Sequence, residues 1–322
     1  MKPRDQAGFY ITNSIYPFYN ACTMPHYDLC TVWNWEYDRD FVRMLETACA
    51  RLDLSFYSVT EENLDTTLAG LSSREISFGS FFDRACESDP RFQALEDNVR
   101  QSHVFRINPQ ELTVWSQDKA TMHLEFVSRK LDTPYTILLS SFNDQPGLPW
   151  LDLAPLDGRF AIKPASLGGG EGVVLEATSQ EQVSFVRQQY PHEKYLLQAH
   201  VTPRLLENRP GWFRVLVCSG GVYPCWWDPH THVYARVTAE ERFRFGLRGL
   251  HEVARRIAQV CRLDLFSTEI ALNSDGRFLA VDYVNDPVDL RLQSNAVDGV
   301  PDVWVENIAR RLVRLAERNS RR

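Results

Sequence analysis

Phe160-Ala-Ile-Lys-Pro-Ala-Ser-Leu-Gly-Gly-Gly-Glu-Gly-Val-Val174 reads as a strand, a lysine at that strand's end, a loop and a second strand. Gly168, Gly169, Gly170 and Gly172 strip side chains from the loop. Its backbone N–H groups are then free to approach a polyphosphate closely, and positive φ costs little there. Lys163 sets one compact positive charge beside the loop. The segment fits a phosphate grip. Taken by itself, it fits a plain glycine-rich β-hairpin equally well.

The chain around it has 322 residues, 44% hydrophobic and 24% charged, which suits a soluble globular protein of two or three domains. A net charge of −7 and a pI of about 5.7 argue against a bulk nucleic-acid surface. The basic stretch from Arg310 to Arg322 reads as the solvated face and frayed end of a last helix. No apolar run approaches the ~20 residues of a membrane span. No apolar signal-peptide core follows Met1 to Asp5. Cys22, Cys30, Cys49, Cys86, Cys218, Cys225 and Cys261 are scattered, odd in number and without a CxxC. That fits reduced thiols in a cytoplasm.

Residues 1–27 are aromatic and irregular and predict no element. Beyond them, strands at Leu29–Trp35, Leu54–Val59 and Glu75–Phe82 alternate with helices at Asp38–Leu52 and Thr60–Leu71. Phe41, Leu45 and Ala48 share a buried face of the first helix, and Asp38 or Asp40 could cap it. This alternation predicts a small parallel sheet with right-handed crossovers. A helix follows near residues 91–103. Another, over Gln117–Leu131, should turn Leu124, Phe126 and Val127 inward. After it come a strand at Pro134–Leu139, a loop over Asn143–Asp157, the glycine hairpin, a helix at Ser179–Gln189 and a strand at Tyr195–Val201. Strands then dominate, at Trp212–Ser219, Val222–Trp227, Leu265–Leu272 and Arg277–Val284, interrupted by a helix from Ala239 to Cys261. A final helix runs from Asp302 to Glu317.

Several polar residues fall on this frame in a fixed order: Lys119 at a helix start, Lys163 with its glycine loop, the strand through Gln198, Arg214 on a strand, Glu269 on another, then Asp282 and Asn285. The ordered set resembles the ATP-grasp superfamily over roughly Asn108 to Leu315, in particular carboxylate–amine ligases of the glutathione synthetase and ribosomal-protein glutamate ligase type. The resemblance implies an α/β (α+β) chain in which a small Rossmann-like parallel-sheet domain, residues 1–115, precedes two α+β subdomains that clamp ATP. Those would be a central one, 116–197, carrying the glycine-rich flap, and a C-terminal one, 198–322, carrying the metal and substrate site.

What the resemblance implies residue by residue has a physical reason in each case. Lys119 would reach the α-phosphate side of ATP, and Lys163 would bridge phosphates and adenine. Gly168 to Gly172 would close over the β- and γ-phosphates. Gln198, Ala199, His200 and Val201 would form the hinge strand whose backbone reads the adenine edge, so that side-chain identity matters little. Glu269, Asp282 and Asn285 would hold Mg²⁺, as two ions, through hard oxygen ligands. Arg214 would stabilise charge on the transferred phosphoryl group. Glu269 is also placed to pair with Arg214. Arg291 could hold a substrate carboxylate, or form a salt bridge to Asp289. Arg84, at a strand's C-terminal end, is a further candidate for the carboxylate.

Two departures stand out. The family's carboxylate-x-Asn signature places two residues on one face of a strand, whereas Asp282 and Asn285 are three apart and would point to opposite faces. Either the strand ends or bulges near Tyr283, or one ligand is replaced, with Asp286 the obvious substitute. Trp212 stands where an acidic ribose-side residue often precedes the arginine, which leaves Glu207 as the candidate ribose contact. His230 and His232, in the loop after Trp227, permit a metal pair or an acceptor-pocket wall.

The implied reaction is ATP-dependent amide formation through an acyl phosphate, releasing ADP and phosphate. The alternatives are an ATP-grasp small-molecule kinase and a non-catalytic ATP-binding protein. The implied partners are a small-molecule carboxylate and an amine, with no nucleic acid and no membrane, in a cytoplasmic chain that could be a homodimer.

Overall fold

The computed structural model describes residues 24–320. The readings made of residues 1–23, Cys22 included, and of Arg321 and Arg322 lie outside the described residues.

The chain opens with β1 (His26–Trp33), α1 (Arg39–Ala50), β2 (Phe56–Val59), α2 (Leu64–Ser72), β3 (Ser77–Arg84), α3 (Gln93–Arg100) and β4 (Phe105–Ile107). The four strands are parallel, in the order β2-β1-β3-β4. Parallel neighbours require crossover connections, and the intervening helices supply them. α1 forms because Phe41, Val42, Leu45, Ala48 and Cys49 fall on one stripe and bury together. The cap expected of Asp38 or Asp40 does not form. Asp38 is buried instead, and its carboxylate accepts from Arg84 Nε at 2.8 Å and Nη2 at 2.6 Å. Arg84 Nη2 also donates to the Val288 carbonyl at 3.0 Å. This corrects the expectation that Arg84 reaches a substrate, because its side chain is only 2% exposed and is held by these partners.

Next come α4 (Gln110–Gln117), α5 (Lys119–Ser128), β5 (Thr136–Leu139), β6 (Phe160–Pro164), β7 (Val174–Ala177), α6 (Gln180–Gln189) and β8 (Tyr195–Ala199). Their antiparallel sheet runs β5-β8-β6-β7. The helix expected over Gln117–Leu131 is α5, and α4 before it is an element the sequence reading does not contain. Asp118 is extended between them, and its side chain accepts from Thr121 N at 2.8 Å to cap α5. Ala120, Met122, His123 and Phe126 bury, while Leu124 and Val127 are 60% and 53% exposed, not inward as expected. The cap sets where α5 starts, and packing of its Ala120–His123 side turns its two other apolar residues to solvent.

The rest is β9 (Leu205–Leu206), β10 (Arg209–Pro210), β11 (Trp212–Cys218), β12 (Gly221–Trp227), β13 (Tyr234–Arg236), α7 (Ala239–Arg244), α8 (Arg248–Cys261), β14 (Leu265–Leu272), β15 (Phe278–Asn285) and α9 (Asp302–Ser320). The helix expected over Ala239–Cys261 is two, separated at Gly246, whose φ is +67°. The five-stranded sheet runs β13-β12-β11-β14-β15, all antiparallel. One of its faces, with Phe213, Val215, Val217, Phe266 and Ile270, packs on Leu250, Ala254 and Ile257 of α8. The other face packs partly on α9. α9 also reaches the first sheet: Leu29, Phe41, Leu45 and Phe82 share one apolar cluster with Leu216, Leu265, Ile308 and Leu312. At its far end Ser320 Oγ donates to the Asp28 carbonyl at 3.1 Å.

The six described cysteines are buried free thiols. Among the described residues no helix is long and apolar enough to cross a membrane.

Asp264, in the turn between α8 and β14, gives a pH prediction. Burial pushes its carboxyl up to about 6. The folded state then holds that proton more tightly than the unfolded chain. Its contribution is therefore full below about pH 4 and is lost as pH rises through about 6. Asp264→Asn should remove the slope. Unfolding in urea at pH 4, 5, 6 and 7 should show the variant gaining on wild type by roughly 1–3 kcal/mol across that window. A constant gap would refute the assignment.

Candidate functional site

The site lies where β6 of the four-stranded sheet meets β14 and β15 of the five-stranded one. Lys163, near the end of β6, donates to Gln198 Oε1 at 2.7 Å and reaches the Val281 carbonyl of β15 at 3.4 Å. Burial holds its pKa below the usual lysine range; Lys119 pushes the same way, while Asp282 and Glu269 pull it back up. Lys119, at the first position of α5, donates to the Leu167 carbonyl at 2.6 Å, which sets its ammonium at the entrance of the glycine loop.

Across the five-stranded sheet, Arg214, Glu269 and Asp282 form one row on β11, β14 and β15. Arg214 Nη1 donates to Glu269 Oε1 at 2.6 Å and its Nε to Ser267 Oγ at 3.1 Å. Trp212 Nε1 donates to the other Glu269 oxygen at 3.2 Å. The three-residue spacing of Asp282 and Asn285 is resolved by a β-bulge. Glu269 faces Asp282 and Ser267 faces Asn285, so between these pairs one residue of β14, Thr268, opposes two of β15, Tyr283 and Val284. The extra residue returns Asn285 to the face of Asp282, where the Asn285 amide donates to the Ser267 carbonyl at 3.5 Å. Burial alone would raise the Asp282 carboxyl, but Lys119, Lys163 and Arg214 together hold it below the usual carboxylate range. Asp286, the alternative ligand, turns away: it accepts from Asn108 Nδ2 and Thr113 Oγ1, both at 2.9 Å.

Gln198 contributes more than backbone. Its side chain is buried and donates to the Tyr283 hydroxyl at 3.2 Å while accepting from Lys163. Tyr283 is bonded in turn to His123 Nδ1 at 2.7 Å. This Gln198–Tyr283–His123 chain was not foreseen, since nothing in the spacing of these residues marks them as neighbours. Ala199 donates its N–H to the Tyr135 carbonyl at 2.9 Å. His200, exposed, contacts the Leu175 carbonyl of β7 at 2.7 Å, and Val201 is half-buried.

Two expected contacts are engaged elsewhere. The Glu207 carboxylate pairs with Arg244. Arg291 pairs with Asp289 at 2.8 Å and Asp298 at 2.9 Å, beneath the rings of Trp35 and Tyr37. His232 stacks flat on Trp227, and among the described residues no three His, Cys, Asp or Glu side chains gather for a metal.

The loop glycines divide into two kinds. A Cβ on Gly168, Gly169 or Gly170 would meet nothing within 4 Å, whereas one on Gly172 would lie 2.8 Å from Pro164 and from the Tyr190 ring. Gly172 is also at φ +68°. Gly172→Ala should therefore destabilise the fold by about 1–3 kcal/mol, while Gly168→Ala should change it by less than about 1 kcal/mol. Thermal unfolding compares the two, and equal losses would show that the loop does not pivot at Gly172.

No known family profile matches the sequence, and no curated protein does. Solved structures match in shape. A RimK-domain ATP-grasp protein from Sphaerobacter thermophilus DSM 20745 is 16% identical, with a TM-score of 0.59 over 89% of this chain and 98% of its own. The D-alanine–D-alanine ligase of Bacillus anthracis, solved with ATP, is 10% identical, with a TM-score of 0.59 over 91% and 97%. The ATP-grasp ligase PsnB, solved with a minimal precursor, Mg and ADP, is 12% identical, with a TM-score of 0.58 over 92% and 99%. At these identities the likeness is one of fold.

Proposed function

Because this chain has the ATP-grasp fold, we propose that it is an ATP-dependent ligase that joins a carboxylate to an amine and releases ADP and phosphate. One observation carries the reading. Lys119 of α5, Lys163 of β6 and Arg214 of β11 converge on the single carboxylate of Asp282. With Glu269 beside Arg214, three cations face two carboxylates, and the surplus of one positive charge lies beside a loop without side chains, where a triphosphate supplies negative charge.

Glu269, Asp282 and Asn285 are the residues that would hold Mg²⁺. Their oxygens are hard ligands, and two carboxylates with one amide suit an ion that keeps positions for phosphate and water. Such an ion, when bound, neutralises charge on the phosphate oxygens. The chain's own residues do the rest. Lys163 and Lys119 orient the phosphates, Arg214 faces charge that develops on the transferred group, and the open glycine loop covers it and excludes water. A substrate carboxylate oxygen bonds to the γ-phosphorus as the bond to ADP breaks. The amine nitrogen then bonds to the acyl carbon, phosphate leaves with the C–O electron pair, and the amine gives up a proton. The bulge that sets Asp282 beside Asn285 supports turnover over mere nucleotide storage.

The test is release of ADP and free phosphate from Mg-ATP with pooled carboxylates and amines. Equal amounts of both, dependent on the pool, fit a ligase. ADP with a phosphoester and no free phosphate would make it a kinase, and ATP-dependent stabilisation without ADP would make it a binding protein.

A further inference from the structure

Two adjoining clefts of about 430 and 440 Å³ run along the outer face of α1 and share Asp40, Arg43, Leu292 and Asn295. One wall is a row of α1, Arg39, Arg43, Thr47 and Arg51, each four residues after the last. Residues four apart in a helix stand one above another. The opposite wall is the turn through Asn295 and the Arg310 side of α9, and the groove ends at Arg291.

The charge of this groove opposes that of the protein. In a chain of net charge −7, five arginines and three carboxylates line it, and one of the five, Arg291, is neutralised by Asp289 and Asp298 behind it. The carboxylates leave the row largely free. Glu306 pairs with Arg310 at 2.7 Å, and Glu36 has no ion pair among those described. Asp40 accepts from Asn295 Nδ2 at 2.7 Å and lies 3.9 Å from Arg43. Arg39 and Arg51 are exposed and have no ion pair among the described residues. Met44, Ala48 and Leu292 give the groove an apolar strip between its walls.

We propose that this groove docks an extended acidic segment of a peptide or protein substrate, with carboxylates at alternate positions. The spacing argues for it. Positions four apart on the row recur every ~6 Å, with arginine at three of the four and Thr47 at the third, and alternate residues of an extended chain recur every ~6.6 Å. The row from Arg39 to Arg51 spans about 18 Å, the length of five or six extended residues. The proposal deepens the ligase reading, since it names the substrate as a chain and not a free small molecule, but docking does not require turnover.

The probe is a fluorescein-labelled peptide of four glutamates alternating with four alanines, followed by anisotropy with the full chain. It should bind and should weaken as salt rises. Arg43→Gln with Arg51→Gln should weaken it at least tenfold, and Arg43→Lys with Arg51→Lys should restore most of that, while the rise in melting temperature with Mg-ATP stays unchanged in both. A peptide with its four glutamates consecutive should bind several-fold less well. No binding, an affinity unmoved by the glutamine pair, equal binding of the consecutive peptide, or tighter binding of a single-stranded DNA oligonucleotide would each overturn the proposal. Failure here with ADP release intact would leave the ligase reading standing.

Discussion

Lys163→Ala is expected to lower ADP formation by about 10²–10³-fold, the loss typical of one preorganised charge-stabilising donor. Its ammonium touches both sheets, bonding Gln198 on one side and approaching Val281 on the other. Lys163→Arg should restore little, because a planar fork does not replace a point charge between an amide and a carbonyl. Stability should move much less than rate. Burial already disfavours the charged lysine, so its loss removes a desolvation cost while it leaves the Gln198 oxygen without its donor. The lowered pKa adds a pH signature: activity should fall on the alkaline side before the usual lysine range is reached. The measurement is ADP release against pH for both variants, beside their melting temperatures. A variant that turns over at near wild-type rate would remove Lys163 from the phosphate grip.

Asp38→Ala is expected to cost about 3–5 kcal/mol in urea unfolding, the largest stability effect of any single substitution considered for this chain. The Asp38 and Arg84 side chains are 3% and 2% exposed and paired at 2.6 Å. Arg84 Nη1 is already buried without a partner. Removing the carboxylate would leave the buried guanidinium without a counter-charge, with the Val288 carbonyl at 3.0 Å and the Phe41 and Phe82 rings 5.5 and 5.9 Å away as its remaining partners. Asp38→Leu combined with Arg84→Met should recover most of the loss, because a packed apolar pair needs no compensation. A single-variant loss below about 1 kcal/mol would show that water reaches the pair.

That pair marks a boundary of what a sequence discloses. Asp38 stands just before an amphipathic helix, where local rules assign it to capping. Only the fold brings Arg84, 46 positions later, close enough to take it instead. The order of strands, the parallel first sheet and the glycine hairpin were readable because each rests on local periodicity or turn chemistry. The bulge at Asp282 was readable only as a contradiction: three-residue spacing cannot share a face of a regular strand, so the alternatives were a bulge or a substitute ligand. Choosing between them required the pairing of β15 with β14. The break at Gly246 is not legible because apolar spacing continues through it. Gln198, Tyr283 and His123 come from three separate elements, and no spacing rule joins them.

The placement of α9 has a consequence for synthesis. The first sheet is translated early, yet Leu29, Phe41 and Phe82 share their apolar layer with Ile308 and Leu312. At ribosomal speeds of ~5–20 residues per second, the interval between β4 and the end of α9 is on the order of 10–40 s. During it, the early strands have no lid. The amino-terminal sheet therefore completes only after α9 has been made, and it passes that time as a client for whatever shields apolar surface at the exit tunnel. Ribosomes stalled before Asp302 should carry chains cleaved readily within β1 to β4; protection of those strands at that length would show that the sheet closes without α9.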